Sequence, residues 1–118
     1  MGDLKKAFGG RYESIIWIPN DDFKFKNRRP QDLISVPRVP PCKLIHPNEK
    51  PVELLEFLIK KTTSQNATVL DCFMGSGSTG VACVNTNRNF IGMELDEHYF
   101  EVAKNRIYDT VKNKEQAS

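Results

Sequence analysis

The residues from Ala67 to Val111 constrain the fold more than any others. Ala67-Thr-Val-Leu70 reads as a short strand, and it runs into Asp71-Cys-Phe-Met-Gly-Ser-Gly-Ser-Thr-Gly80. Glycines at 75, 77 and 80 have the spacing G-x-G-x-x-G, which between a strand and a helix marks a tight turn whose backbone can approach a ligand. A helix continues through Gly80-Val-Ala-Cys-Val84, and Asn85-Thr-Asn-Arg-Asn89 breaks it. Phe90-Ile-Gly-Met-Glu94 reads as a buried strand ending in a carboxylate. In a last helix, Phe100, Ala103, Ile107 and Val111 share one face. Strand, helix, strand, helix is a βαβ unit plus one helix, the open half of a doubly wound sheet. The expected class is α/β.

Upstream, Val52, Leu55, Leu58 and Ile59 fall on one helical face, with Pro51 suited to the first helical position and an end near Thr63. The front of the chain differs. Ser14-Ile-Ile-Trp-Ile18 is a β-rich run closed by the turn cluster Pro19-Asn-Asp-Asp22, and Asp32-Leu-Ile-Ser-Val36 is a second strand candidate. The two are expected to form an antiparallel pair, with Trp17 a core aromatic. Three prolines between Pro37 and Pro41 favour an extended linker. The expectation is one partial domain over 1–118: strand pair and linker at 1–45, a ligand-binding part at 46–112, and a frayed polar tail at 113–118.

Charge is uneven. Residues 1–50 carry ten Lys/Arg against six Asp/Glu, and residues 51–118 carry seven against nine. A basic front half suits a polyanionic partner. Lys24, Lys26, Arg28 and Arg29 are candidate DNA-phosphate contacts, with a solvated basic loop as the plain alternative. Three cysteines, with no C-x-x-C pair, argue against a metal site and a disulfide framework and for reduced, mostly buried thiols. No apolar run of about 18 residues is present, so no membrane span is expected. The N-terminus lacks a secretory h-region, which makes a cytoplasmic location the default.

The ligand of the glycine loop follows from its charges. A P-loop needs a lysine after the glycines, and none follows. A dinucleotide is compatible with the spacing and with Glu94, which stands where a ribose-binding acid belongs, about twenty residues on. Asp71 weighs against it, because a carboxylate at the strand end repels a pyrophosphate. It attracts an ammonium or sulfonium instead. S-adenosylmethionine carries both and keeps a ribose for Glu94. Without a ligand, Asp71 would be a turn or capping residue and Glu94 a solvated strand end.

These residues resemble a family. Asp71-Cys-Phe-Met-Gly-Ser-Gly-Ser-Thr79 is similar to the D-x-F-x-G-S-G-T-T motif of the S-adenosylmethionine-dependent DNA amino-methyltransferases, which methylate adenine N6 or cytosine N4. His46-Pro-Asn-Glu-Lys-Pro51 resembles their H-P-T-E-K-P segment. Ile91-Gly-Met-Glu-Leu-Asp96, with Tyr99 and Ala103-Lys-Asn-Arg-Ile107, resembles their G-x-E strand and following helix. Phe8-Gly-Gly-Arg-Tyr12 and Asn27-Arg-Arg-Pro-Gln-Asp32 resemble the strand pair on their substrate side.

The resemblance covers roughly residues 7–110. It implies an incomplete Rossmann-like methyltransferase fold in a permuted order, with the catalytic half first. It implies that Asp71, Phe73, Gly75, Ser76 and Gly77 line the methionine part of S-adenosylmethionine. Ser78 and Thr79 would cap the helix, Glu94 would take the ribose, and Lys50 would meet the cofactor carboxylate, with His46, Asn48 and Glu49 shaping the turn.

One departure is large. The family signature [DNS]-P-P-[YFW] holds the target amino group and stacks on the flipped base. The chain's Pro-Pro pair is Val39-Pro-Pro-Cys42, without the polar residue or the aromatic. No catalytic residue is therefore assigned. The expected partners are double-stranded DNA and a separate polypeptide carrying the catalytic half. The rivals are a non-catalytic S-adenosylmethionine- or DNA-binding module and an NAD-dependent oxidoreductase fragment.

Overall fold

The computed structural model describes residues 14–26, 30, 34–36 and 49–117. Within them the order is α1 (Val52–Thr62), β1 (Thr68–Asp71), α2 (Ser78–Asn85), β2 (Asn89–Gly92) and α3 (Glu97–Ala117). β1 and β2 are adjacent and parallel, with Val69 opposite Phe90, Leu70 opposite Ile91 and Asp71 opposite Gly92. Parallel neighbours need a crossover, and α2 supplies it.

The alternation of a strand sorts its residues by face. Val69 and Phe90 point to one face and pack with Val52 and Leu55 around the buried Ile59, Ala82 and Cys83. α2 lies at the centre of this layer, between α1 and α3. Leu70, Ile91 and Met93 point the other way, and each is at least half exposed. The expected buried strand over 90–94 is thus shorter and covered on one face only. The covering helices pack on the Val69/Phe90 side.

Helix ends are closed by side chains from elsewhere. Pro51 is the N-cap of α1, with ψ 133°, rather than its first helical residue. The α2 C-terminus turns through Asn87 at φ 61°. Arg88 then donates to Thr63 O, Thr63 Oγ1 and Thr86 O, placing one cation at the C-termini of both α1 and α2. α3 runs to Ala117 instead of fraying after Lys112. Lys114 holds it there by donating to Val84 O and to Asn87 Oδ1.

The front segment departs from expectation. Neither Ser14–Ile18 nor residues 34–36 form a strand, and the sheet of the described residues is parallel, not antiparallel. Asp32 and Leu33 lie outside the described residues. Ile16 and Ile18 are more than four-fifths exposed. A β-branched run makes a strand only where another edge accepts its hydrogen bonds. Trp17 is half exposed and packs not in a strand core but edge-on to Phe23, 5.1 Å between centroids, with Phe25 4.9 Å from Phe23. Phe100, on the expected inward face of the last helix, is exposed, and Tyr99 is half-buried.

Cys83 is fully buried, whereas Cys72 is exposed; Cys42 lies outside the described residues. Burial pushes the Cys83 thiol from 9.0 up to about 11; Arg88 opposes the shift and Asp71 adds to it. The folded chain keeps this proton where the unfolded chain loses it. Stability is therefore expected to fall as pH rises from 9 to about 11, by at most ~1.4 kcal/mol per pH unit. Thermal melts across that window should show a flatter dependence for Cys83→Ala. Thiol reagents should modify Cys72 in the folded chain and Cys83 only after denaturation.

Candidate functional site

Both parallel strands end at the same edge, and the glycine loop leaves from there. Met93 N donates to Asp71 O, and Met74 N donates to Met93 O, so the strand pairing continues into the loop. Gly75 and Gly77 have φ 54° and 89°, the left-handed region that glycine enters without a Cβ penalty. Gly77 N closes a turn on Met74 O, and Val81 N on Gly77 O starts α2. A Cβ on Gly77 would stand 2.9 Å from Ala103 Cβ and 3.0 Å from Ala103 Cα. A Cβ on Gly80 would meet Ile107 and Phe90. The three glycines therefore serve the turn, the approach of α3 and the packing of α2 between β2 and α3.

Two carboxylates stand at this edge. Asp71 Oδ1 accepts from Phe73 N at 3.0 Å, which makes a local turn. Glu94 Oε1 accepts from Gly75 N at 3.0 Å, and Glu94 Oε2 from Asp96 N at 2.8 Å. Glu94 is thus tied to the glycine loop from β2. A carboxylate has about four acceptor positions, so these bonds leave capacity for hydroxyl donors on both oxygens.

Beneath the loop lies an ion pair that the sequence reading did not single out. Arg106 Nη1 is 2.9 Å from Glu49 Oε1, with the Glu49 side chain 4% exposed and Arg106 23%. The same nitrogen donates to Ser78 Oγ at 3.0 Å and reaches Ser76 O and Oγ at 3.4 Å. Ser78 Oγ in turn donates to Glu49 Oε1 at 3.2 Å. Ser76 and Ser78 are both buried. α2 is capped by Gly77 with no side-chain cap, so Ser78 braces the loop instead of capping the helix. The sequence signals for Arg106 are its place in the Ala103-Lys-Asn-Arg-Ile107 stretch that resembles the family's helix and its position beside the inward Ala103 and Ile107 of α3.

Asp71, Gly75, Ser76, Gly77, Ser78, Glu94 and Glu49 therefore converge. Phe73 projects from the loop, 91% exposed. Thr79 is half-buried in the first turn of α2, and Lys50 is exposed just before α1. His46, Asn48, Arg28 and Arg29 lie outside the described residues. Lys24 and Lys26 are not at this edge. They line a groove with Thr63, Ser64 and Arg88, at the end where the strands begin.

A family model described as DNA methylase matches residues 3–105. The chain belongs to this DNA methylase family. The Type II methyltransferase M1.MboII of Moraxella bovis is 34% identical over 94 residues, covering 74% of the chain and 35% of that relative. The chain thus spans about a third of the length of this curated relative. The crystal structure of the M1.HpyAVI–SAM complex superposes with a TM-score of 0.61 at 44% identity, over 72% of the chain and 42% of that one. The cytosine-N4-specific PvuII DNA methyltransferase has the same fold, with a TM-score of 0.57 at 24% identity over 70% of the chain and 37% of that one. Family membership accounts for the glycine loop between parallel strands.

Proposed function

We propose that the chain is the cofactor-holding part of an S-adenosylmethionine-dependent DNA amino-methyltransferase of permuted order. The observation that carries this is the pair of carboxylates, Asp71 and Glu94, at the mouth of a loop whose glycine amide one of them holds. Such a site disfavours a pyrophosphate and suits a cationic ligand with a ribose. When bound, S-adenosylmethionine supplies a methyl group on a sulfonium for transfer to the exocyclic amino nitrogen of adenine or cytosine. The chain's own residues would position it. Asp71, Phe73 and the glycine backbone would line the methionine end, Glu94 would accept from the ribose hydroxyls, and the Glu49–Arg106 pair would keep the loop in shape from below.

The target amino group would be held by residues outside this sequence, whose Pro-Pro pair lacks the family's polar and aromatic neighbours. The bare sheet face supports completion by further elements carrying the catalytic half. Leu70, Ile91 and Met93 leave an apolar face that a doubly wound sheet would cover with helices. Mixing the chain with a polypeptide carrying the catalytic half should restore DNA methylation. Leu70→Lys with Ile91→Lys should abolish that rescue while sparing cofactor binding.

Calorimetric titration with S-adenosylmethionine, with NAD as the control, tests the cofactor reading. Asp71→Ala and Glu94→Gln should each weaken binding by ~10-fold or more, the worth of a charge-assisted hydrogen bond. Gln is chosen at 94 because it still offers one acceptor to Gly75 N. Binding of NAD in preference, or a folded chain that ignores S-adenosylmethionine, would overturn the reading.

A further inference from the structure

Five cations outside the cofactor site gather at the opposite end of the sheet. Lys24 and Lys26 come from the front segment, Lys60 and Lys61 from the last turn of α1, and Arg88 from the residue before β2. They line one groove of about 450 Å³, whose only carboxylate among the described residues is Asp22. Arg88 donates to carbonyls and a hydroxyl, so its charge is not cancelled by its partners. None of the four lysines is in an ion pair among the described residues. The groove therefore has a formal charge of +4 from five cations and one acid.

Lysines at a helix C-terminus are ordinarily explained by the helix dipole. That explains Lys60 and Lys61 but not Lys24 and Lys26. These two stand in the alternation Phe23-Lys24-Phe25-Lys26, in which the phenylalanines are half-buried and the lysines exposed. The aromatic contacts of Phe23 and Phe25 with each other and with Trp17 fold this segment back on itself. Phe23 N on Asn20 O closes the turn that starts it. The alternation then presents the lysines beside those of α1.

We propose that this groove is a second, sequence-independent DNA contact that holds the phosphate backbone of duplex away from the target base. Lysine ammoniums on long stems, drawn from two segments, suit a run of phosphates rather than one chelated anion. β1 is four residues long, so the groove lies about 13 Å or more along the strand from the carboxylate edge, at ~3.3 Å per residue. DNA held here is not the base being modified. The proposal rests on the methyltransferase reading only in taking DNA as the polyanion.

The test is fluorescence anisotropy of a short labelled duplex with the full chain over a series of salt concentrations. Lys24→Ala with Lys26→Ala should lower the slope of log K against log salt by ~1.8, about 0.9 per lost phosphate contact. Lys60→Ala with Lys61→Ala should do the same, and Lys104→Ala, an exposed lysine on α3, should change the slope less than either pair. S-adenosylmethionine affinity, measured on the same samples, should be unchanged in all three. Absence of duplex binding by the wild-type chain at low salt, or slopes no lower for the groove variants than for Lys104→Ala, overturns the proposal. Loss of cofactor binding by the wild-type chain would instead sink the methyltransferase reading and leave the groove result standing.

Discussion

Arg106→Leu is expected to lower the melting temperature by ~10–20 °C. The substitution leaves the Glu49 carboxylate, 4% exposed, without the guanidinium 2.9 Å away. Breaking a buried pair from one side costs about 3–5 kcal/mol, because the remaining charge loses its counter-ion in a poorly solvated place; Ser78 Oγ still donates to Glu49. Arg106 itself is 23% exposed, so water can reach part of the space it vacates, and the lower end of that range applies. For a domain of this size ~3 kcal/mol corresponds to the shift given. The double variant Glu49→Gln/Arg106→Leu should melt above Arg106→Leu alone, since a neutral amide costs less to keep buried than a carboxylate without its guanidinium. Cofactor affinity should also fall in Arg106→Leu, because Ser76 and Ser78 lose their shared donor. A melting temperature close to wild type would show that the pair does not brace the loop.

Gly77→Ala is expected to destabilise the chain by ~3 kcal/mol, through two separate causes. At φ 89° an L-residue is strained by ~1–2 kcal/mol. Its Cβ would also press on Ala103 Cβ at 2.9 Å and Cα at 3.0 Å, and overpacking of this kind costs ~1–3 kcal/mol. Ala103→Gly in the same chain should recover part of the loss by removing the nearer atom. It should not recover all of it, because the Ala103 backbone and the φ strain remain. Gly75→Ala, at φ 54°, isolates the conformational cost and should be milder, at ~1 kcal/mol. Denaturant melts measure all three. Equal stability of Gly77→Ala and wild type would mean that α3 does not approach the loop as described.

The contrast between these glycines and Arg106 shows where sequence reading succeeds. The strand, glycine turn, helix, strand and helix are legible because each leaves a local mark: alternating residues, glycines at a required spacing, a helical face. Asp71 and Glu94 are legible because they sit at fixed offsets within that pattern. The role of Arg106 is not, because an arginine in that helix stretch looks like a surface charge until Glu49, from a segment far away in the chain, is folded against it. The antiparallel pair misleads for the converse reason. Ile15, Ile16 and Ile18 have strand propensity, but propensity does not supply a neighbouring edge, and those side chains remain exposed. Lys24 and Lys26 read as basic from their residue types, yet only the packed chain sets them at the opposite end of the sheet from Asp71.

By itself the sequence determined the α/β class, the loop conformation and the two carboxylates at its mouth, since periodicity, glycine and charge act within a few residues. The tertiary structure decided three things that depend on residues distant in the chain. It paired Glu49 with Arg106 beneath the loop, where low dielectric makes a lost partner costly. It left Leu70, Ile91 and Met93 bare, because α1, α2 and α3 give their cover to the other face of the sheet. And it gathered lysines from two segments into one groove, a concentration of like charge that no local rule favours and that an anionic partner would stabilise.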